Sequence, residues 1–181
     1  MNGIDRDTPA WFVMRAHRAE LKVEEKLSQQ EELLYFVPKQ YAVRVYHGKR
    51  VRKLVPVIPG IVFVYGSRAQ IAPFKYRCEQ LQYLMCKKST GPEYMIVPED
   101  QMQSFIKVAS DLERNNVYLN PEEVQLKKGT RVKIIGGALD GAVGHFVKVK
   151  NYRNRRLVVL LEGVTAIATE VSPDLIEVLP D

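Results

Sequence analysis

Apolar positions change their period along this 181-residue chain, and the changes mark out its elements. The stretch "AWFVMRA" (10–16) is an apolar run of strand length. After it, Ala19, Val23 and Leu27 recur every four residues among charged neighbours, which makes one apolar stripe on a helix. Tyr41, Val43 and Val45 then alternate with polar residues. His47-Gly48 supplies a two-residue turn and a return strand begins at Val51, so a β-hairpin is predicted. The continuous apolar run "IVFVY" follows Pro59-Gly60 and suits a central strand. A short helix is expected near 68–79, with Pro73 as a breaker, and then two short strands from "LQYLMCK" and "YMIV". "PEDQMQSFIKVASDLER" opens with proline and acids, as a helix start does, and Met102, Phe105, Ile106 and Ala109 form its apolar face.

Beyond that helix, "NNVYLNPEEV" shows no period and is expected to be a linker. From Val124 onward the pattern holds no helix. Candidate strands are 130–136, 143–150, 156–162, 165–171 and 175–179, separated by glycine, asparagine and Ser172-Pro173 turns. Five short strands at this spacing predict a small barrel or sandwich. The β-branched pairs Val158-Val159 and Val164-Thr165 disfavour a helical alternative for it. The chain is therefore expected to be α+β: an N-terminal domain over 1–112, a linker over 113–123, and a β-barrel over 124–181. At that size the barrel is close to the lower limit for an independent core.

Charge adds a direction to this picture. The net charge is +6; residues 1–116 carry 18 basic and 13 acidic side chains, and the remainder carries 9 and 8. An excess of +5 in the first part points it towards a polyanion, with plain solubility as the alternative. Two cysteines without CxxC spacing or a partnering histidine make neither a disulfide framework nor a zinc site. No apolar run approaches the roughly 20 residues of a bilayer span, and the first residues lack a secretory leader's pattern. A cytoplasmic protein without membrane, metal or cofactor is expected.

The glycines of "VKIIGGALDGAVGHFVKV" (132–149) first suggest a phosphate loop. Gly136 and Gly141 have Walker spacing, but Ala142 and Val143 stand where lysine and Ser/Thr are needed, and a strand follows instead of a helix. A tight strand–loop–strand connection is the better reading. Catalysis has little support. His17, His47 and His145 lie on different elements, adjacent glutamates diverge, and no Ser or Cys has an identifiable base. Two basic groups remain: Lys49, Arg50, Arg52 and Lys53 at the hairpin, and "NYRNRR" at 151–156. Each is either a phosphate-facing surface or a solvated charged face. "VIPGIVFV" (57–64) places Ile58 and Ile61 around a Pro-Gly bend, as core or as an exposed gripping patch.

Taken in order, these pieces resemble the NusG family of transcription elongation factors, over roughly 10–181. Trp11-Phe12-Val13 followed by a helix looks like the family's W-[YF]-V start, and Phe36-Val37-Pro38 like its F-V-P. Arg52 to Val64 is similar to R-K-x-F-P-G-Y-x-x-V with a few residues inserted. Gly137 to Gly144 resembles the KOW motif G-P-F-x-G-x-x-G, with Gly137, Leu139, Gly141 and Gly144 at its positions. The resemblance implies an N-terminal NusG domain, an antiparallel sheet flanked by helices, and a C-terminal SH3-like KOW barrel.

It further implies a monomeric, non-enzymatic factor that docks on RNA polymerase at the β′ clamp helices, bridges towards the β subunit, and suppresses pausing or termination. Ile58, Pro59, Gly60, Ile61 and Trp11 would meet polymerase, with aliphatic side chains where the family has aromatics. Arg15, His17 and Arg18, with Lys49, Arg50 and Arg52, would meet non-template DNA or nascent RNA. The KOW domain would take other factors, such as Rho or ribosomal protein S10. The segment Ile167–Glu170, "IVPEDQMQSFIKVAS" and the "FKYRCEQLQYLMCKK" insert look like specialised paralogues that antiterminate surface-polysaccharide operons, particularly the UpxY-like capsule regulators of Bacteroidetes. A general housekeeping factor and a ribosome-associated KOW protein are the alternatives.

Overall fold

Alternation along the first apolar run sets up the first core. In the computed structural model, which describes residues 5–89, 91–124 and 129–180, "AWFVMR" forms β1 (Ala10–Arg15). Successive side chains of a strand point to opposite faces, so Phe12 and Met14 share one face. Antiparallel β5 (Ile61–Gly66) places Val64 opposite Phe12 and Val62 opposite Met14. Helix α1 (Glu20–Leu27) contributes Val23 and Leu27 to this face, from the stripe the sequence shows. Helix α2 (Arg68–Arg77) contributes Ile71 and Phe74. Ser67 starts α2 with a reciprocated capping box: its hydroxyl accepts from Gln70 N at 3.2 Å, and Gln70 Oε1 accepts from Ser67 N at 2.8 Å. The helix passes through Pro73 instead of breaking there.

The sheet is completed by β2 (Leu34–Phe36) on β5, and by β6 (Gln82–Tyr83) and β9 (Ile96–Val97) on β1. Two separate hairpins accompany it. The first is β3 (Lys39–Tyr46) with β4 (Lys49–Pro56); the second is β7 (Met85–Lys88) with β8 (Gly91–Tyr94). The second hairpin divides each of the two short strands expected there into two.

The chain separates into two compact units, Met1–Glu99 and Asp100–Asp181. Helix α3 (Glu99–Ser110) therefore falls almost wholly in the second unit, whereas the sequence pattern groups it with the first domain. Ser104 Oγ accepts from Val143 N at 3.1 Å, and the Phe105 ring stands edge-on to Tyr118 at 6.4 Å.

The second unit is a six-stranded antiparallel sheet in the order β10-β14-β13-β12-β11-β15. Its strands are β10 (Val117–Leu119), β11 (Thr130–Ile134), β12 (Val143–Lys148), β13 (Arg155–Leu161), β14 (Thr165–Thr169) and β15 (Ile176–Val178). Five of these match the expected strands. The sixth, β10, lies in the segment expected to be a linker and pairs with β14 through Tyr118 opposite Ile167. The α+β architecture expected from the sequence is present, with a helix-flanked antiparallel sheet first and a β-rich unit second.

Candidate functional site

The Pro59-Gly60 bend joins β4 to β5 and is tied to the end of β1. Ile61 N donates to Ile58 O at 3.3 Å and closes the turn. Gly60 takes φ +74, a left-handed conformation that costs an ordinary L-residue about 1–2 kcal/mol. Its carbonyl accepts from Ala16 N at 2.8 Å, and its N–H donates to the Glu20 carboxylate in the first turn of α1. Ile58 and Ile61 are half-buried and Pro59 is exposed. An apolar bend fixed at both ends can meet a partner without first being ordered.

The same end of β1 carries cations. Arg15 pairs directly with Ile61. His17 and Arg18 follow, exposed, at φ 42 and 62, and Ala19 N closes the turn onto Ala16 O at 2.8 Å. Two successive non-glycine residues in left-handed backbone store strain that the tie between Ala16 and Gly60 helps to hold. Apolar and basic residues taken from separate motifs are thus neighbours. Trp11 is not among them. It lies at the other end of β1, only 4% exposed, with its ring 5.4 Å from that of Tyr65.

The β3–β4 hairpin is a two-stranded ribbon turned by His47 (φ 47) and Gly48 (φ 76). Residues 39–56 hold six basic side chains and no acidic one. Opposed residues share a face. Arg50 and Arg52 stand opposite Val45 and Val43, whereas Lys49 stands opposite Tyr46 on the other face, with Lys53 and Arg44. The structure therefore divides the basic group between two faces. Arg44, which the sequence reading passed over inside its alternating strand, joins the second. The Arg52 guanidinium lies 3.7 Å over the Tyr41 ring, and Lys53 Nζ 5.3 Å over that of Tyr46. Val43 and Val45 remain 66% and 69% exposed, so the ribbon mixes cations with uncovered apolar and aromatic surface. Lys39, at its root, pairs with Glu24 at 2.7 Å.

In the second unit, Gly137 (φ 71) and Gly141 (φ 80) shape the β11–β12 loop, and Leu139 between them is buried. The Asp140 carboxylate caps the loop by accepting from Gly136 N at 2.6 Å. Of the basic run 151–156, Arg156 turns inward. It is 2% exposed, bonds Glu170 at 2.5 Å and Asn115 O at 3.0 Å, and lies over the Tyr152 ring at 4.1 Å. That residue ties β13 to the segments just before β10 and just after β14, while Arg153 and Arg155 stay exposed. Burial, and then the charge of Arg131 opposite, hold the His145 pKa below its usual value. Among the described residues, no three His, Cys, Asp or Glu side chains cluster as a metal site requires. None of the described helices is long and apolar enough to cross a membrane.

The model of the family described as transcription termination factor nusG matches residues 9–106, more than half of the chain. This chain belongs to the NusG family. The matched residues contain the bend, the basic end of β1 and the ribbon. A solved structure of NusG from Thermotoga maritima, titled for the interaction of its domains, is similar at 16% identity over 97% of this chain and 100% of that one, with a TM-score of 0.47. No curated protein matches. NusG-family factors act on transcription elongation, antitermination or termination with RNA polymerase and are not enzymes, and this chain is a transcription factor of that general kind.

Proposed function

We propose that this chain is an operon-specific antiterminator that docks on the β′ clamp helices of RNA polymerase through Ile58, Pro59, Gly60 and Ile61, with Trp11 in the same sheet at the other end of β1. The observation that carries the reading is the rigid apolar bend set against Arg15, His17 and Arg18, inside the region that matches the family. A surface of this composition serves a partner that is apolar at its centre and bordered by nucleic acid. From there the factor would reach the β subunit and suppress pausing over long surface-polysaccharide operons. The functional domains are proposed as 1–112 and 124–181. The second, with its Gly137–Gly144 loop, would serve as docking module for Rho or ribosomal protein S10. The protein would act as a cytoplasmic monomer without a cofactor. In single-round elongation assays, adding the chain should shorten pauses and increase read-through of a terminator. Unchanged pause lifetimes at saturating chain would contradict the proposal.

The ribbon would lie along the non-template strand or nascent RNA. Replacing both Arg50 and Arg52 by Ala should weaken binding to a single-stranded or bubble scaffold. It should also lower the slope of log affinity against log salt by about 1.4–1.8, at roughly 0.7–0.9 per lost phosphate contact. An unchanged slope would exclude the Arg50–Arg52 face from the contact.

A further inference from the structure

The first unit holds a second polar feature, away from the bend. Arg68, Ala72, Lys75 and Tyr76 are spaced by four, three and one residues along α2 and share one helix face. They wall a cleft of about 320 Å³ whose other walls are Tyr83 of β6, Tyr94 of β8 and Arg6. Arg6 is tied to the start of α2, its carbonyl accepting from Ala69 N at 3.2 Å. Tyr83 is fixed by edge-on ring contacts to Phe12 at 5.4 Å and to Tyr94 at 5.0 Å. Arg68 is fixed by Tyr94, whose hydroxyl accepts from Nη1 at 3.1 Å and whose ring lies 4.9 Å from the guanidinium carbon.

Two donors in this frame lack an acceptor. The Tyr83 hydroxyl and Arg68 Nε are both buried and make no hydrogen bond. Burial above all, with Tyr94 beside it, pushes the Tyr83 pKa up to about 12 against the pull of Arg68, so the hydroxyl keeps its proton and remains a donor. Buried polar groups are nearly always paired in native proteins, and these two unmatched donors both belong to residues that line the cleft. Among the described residues, three cations and no carboxylate line that cleft, which selects an anion. Cationic and hydroxyl donors carried by α2 and β6 suit a group with several acceptor oxygens, as phosphate has. Tyr76, 89% exposed at the same face, offers an aromatic plane on which a base can stack.

We infer that this cleft binds the phosphate of a nucleotide, held by Arg68, Lys75, Arg6 and the Tyr83 hydroxyl, with the base against Tyr76. The phosphate is that of a free nucleotide or of a single strand, and three probes separate the two. Inorganic phosphate, thymidine 5′-monophosphate and an oligothymidylate without terminal phosphates are titrated into the full chain at constant ionic strength, followed by calorimetry and amide chemical shifts. Saturable binding that shifts Ala72, Tyr76 and Tyr83 is expected. Binding of the monophosphate without the oligonucleotide identifies a free nucleotide; binding of the oligonucleotide identifies a strand. Tyr83→Phe removes only the unpartnered hydroxyl, so its melting temperature in buffer should not fall, while affinity drops about tenfold, the size of one hydrogen bond to a charged group. Lys75→Gln, at a half-buried position of α2, should weaken all binding, and Tyr76→Ala should weaken nucleotide but not inorganic phosphate. The Arg50→Ala, Arg52→Ala chain should bind inorganic phosphate normally, which separates the cleft from the ribbon. Absence of saturable binding by every probe, or full affinity in both Tyr83→Phe and Lys75→Gln, would overturn the inference.

Discussion

Ile58→Asp should weaken binding of the chain to core RNA polymerase by at least about 30-fold, corresponding to about 2 kcal/mol for one buried apolar anchor of an interface. The expectation rests on how the bend is held. Gly60 is bonded to Ala16 and to Glu20, so its geometry does not depend on the Ile58 side chain. Ile58 is half-buried, which leaves a carboxylate there access to water in the free protein. The substitution should therefore spare the fold, and the loss should appear only when a partner covers the bend and leaves a desolvated charge unpaired. Ile61 is a harsher test of folding, because it sits within β5 opposite Arg15. Circular dichroism that matches the unmodified chain, together with lost polymerase capture, is the expected pair of results. Full capture by Ile58→Asp would show that the bend is not the contact.

The second large effect concerns stability. Gly144→Ala should unfold the second unit or bring it near unfolding. A Cβ at Gly144 would stand 2.5 Å from Val158 O and 3.0 Å from Leu157 Cδ1. The first neighbour is backbone in the paired strand β13 and cannot swing aside. Overpacking costs typically 1–3 kcal/mol and sometimes more, and this site belongs at the upper end. For a unit of this size about 3 kcal/mol lowers the melting temperature by roughly 12–24 °C. Gly48→Ala gives the contrast: nothing lies within 4 Å of its Cβ position, so only the left-handed φ of 76 opposes the change. Amide spectra of Gly144→Ala should lose the dispersed signals of 100–181 and keep those of the first unit. Retention of both sets with an unchanged melting temperature would show that the strands can separate to admit a methyl group.

Local features were legible in the sequence. The Ala19–Val23–Leu27 stripe, the His47-Gly48 turn and the alternation of β3 each carry their signal within a few residues, and each element formed where that signal lies. The glycine loop was legible for the same reason, since Leu139 between turn glycines belongs inside. What escaped was short or non-local. Strand β10 is three residues between asparagine-rich neighbours, too few to show a period, and it exists because β14 offers it an edge. Arg156 looked like surface because arginine usually is. Its burial depends on Glu170 and Asn115, which the chain delivers from 14 and 41 residues away. The cleft at Tyr83 combines residues 6, 68–76, 83 and 94, none of which is unusual in its own neighbourhood. The bend and the cations after β1 were found as separate motifs, and only the pairing of β1 with β5 makes them neighbours.

The central claim is that the apolar bend of the first unit is the polymerase contact. Its most direct measurement is binding of the full chain to purified core RNA polymerase in competition with an isolated β′ clamp-helix fragment. Saturable binding that the fragment displaces completely, with Ile58→Asp failing to bind either one, is the expected result. Binding that the fragment leaves untouched, or that Ile58→Asp retains at full strength, would contradict the claim.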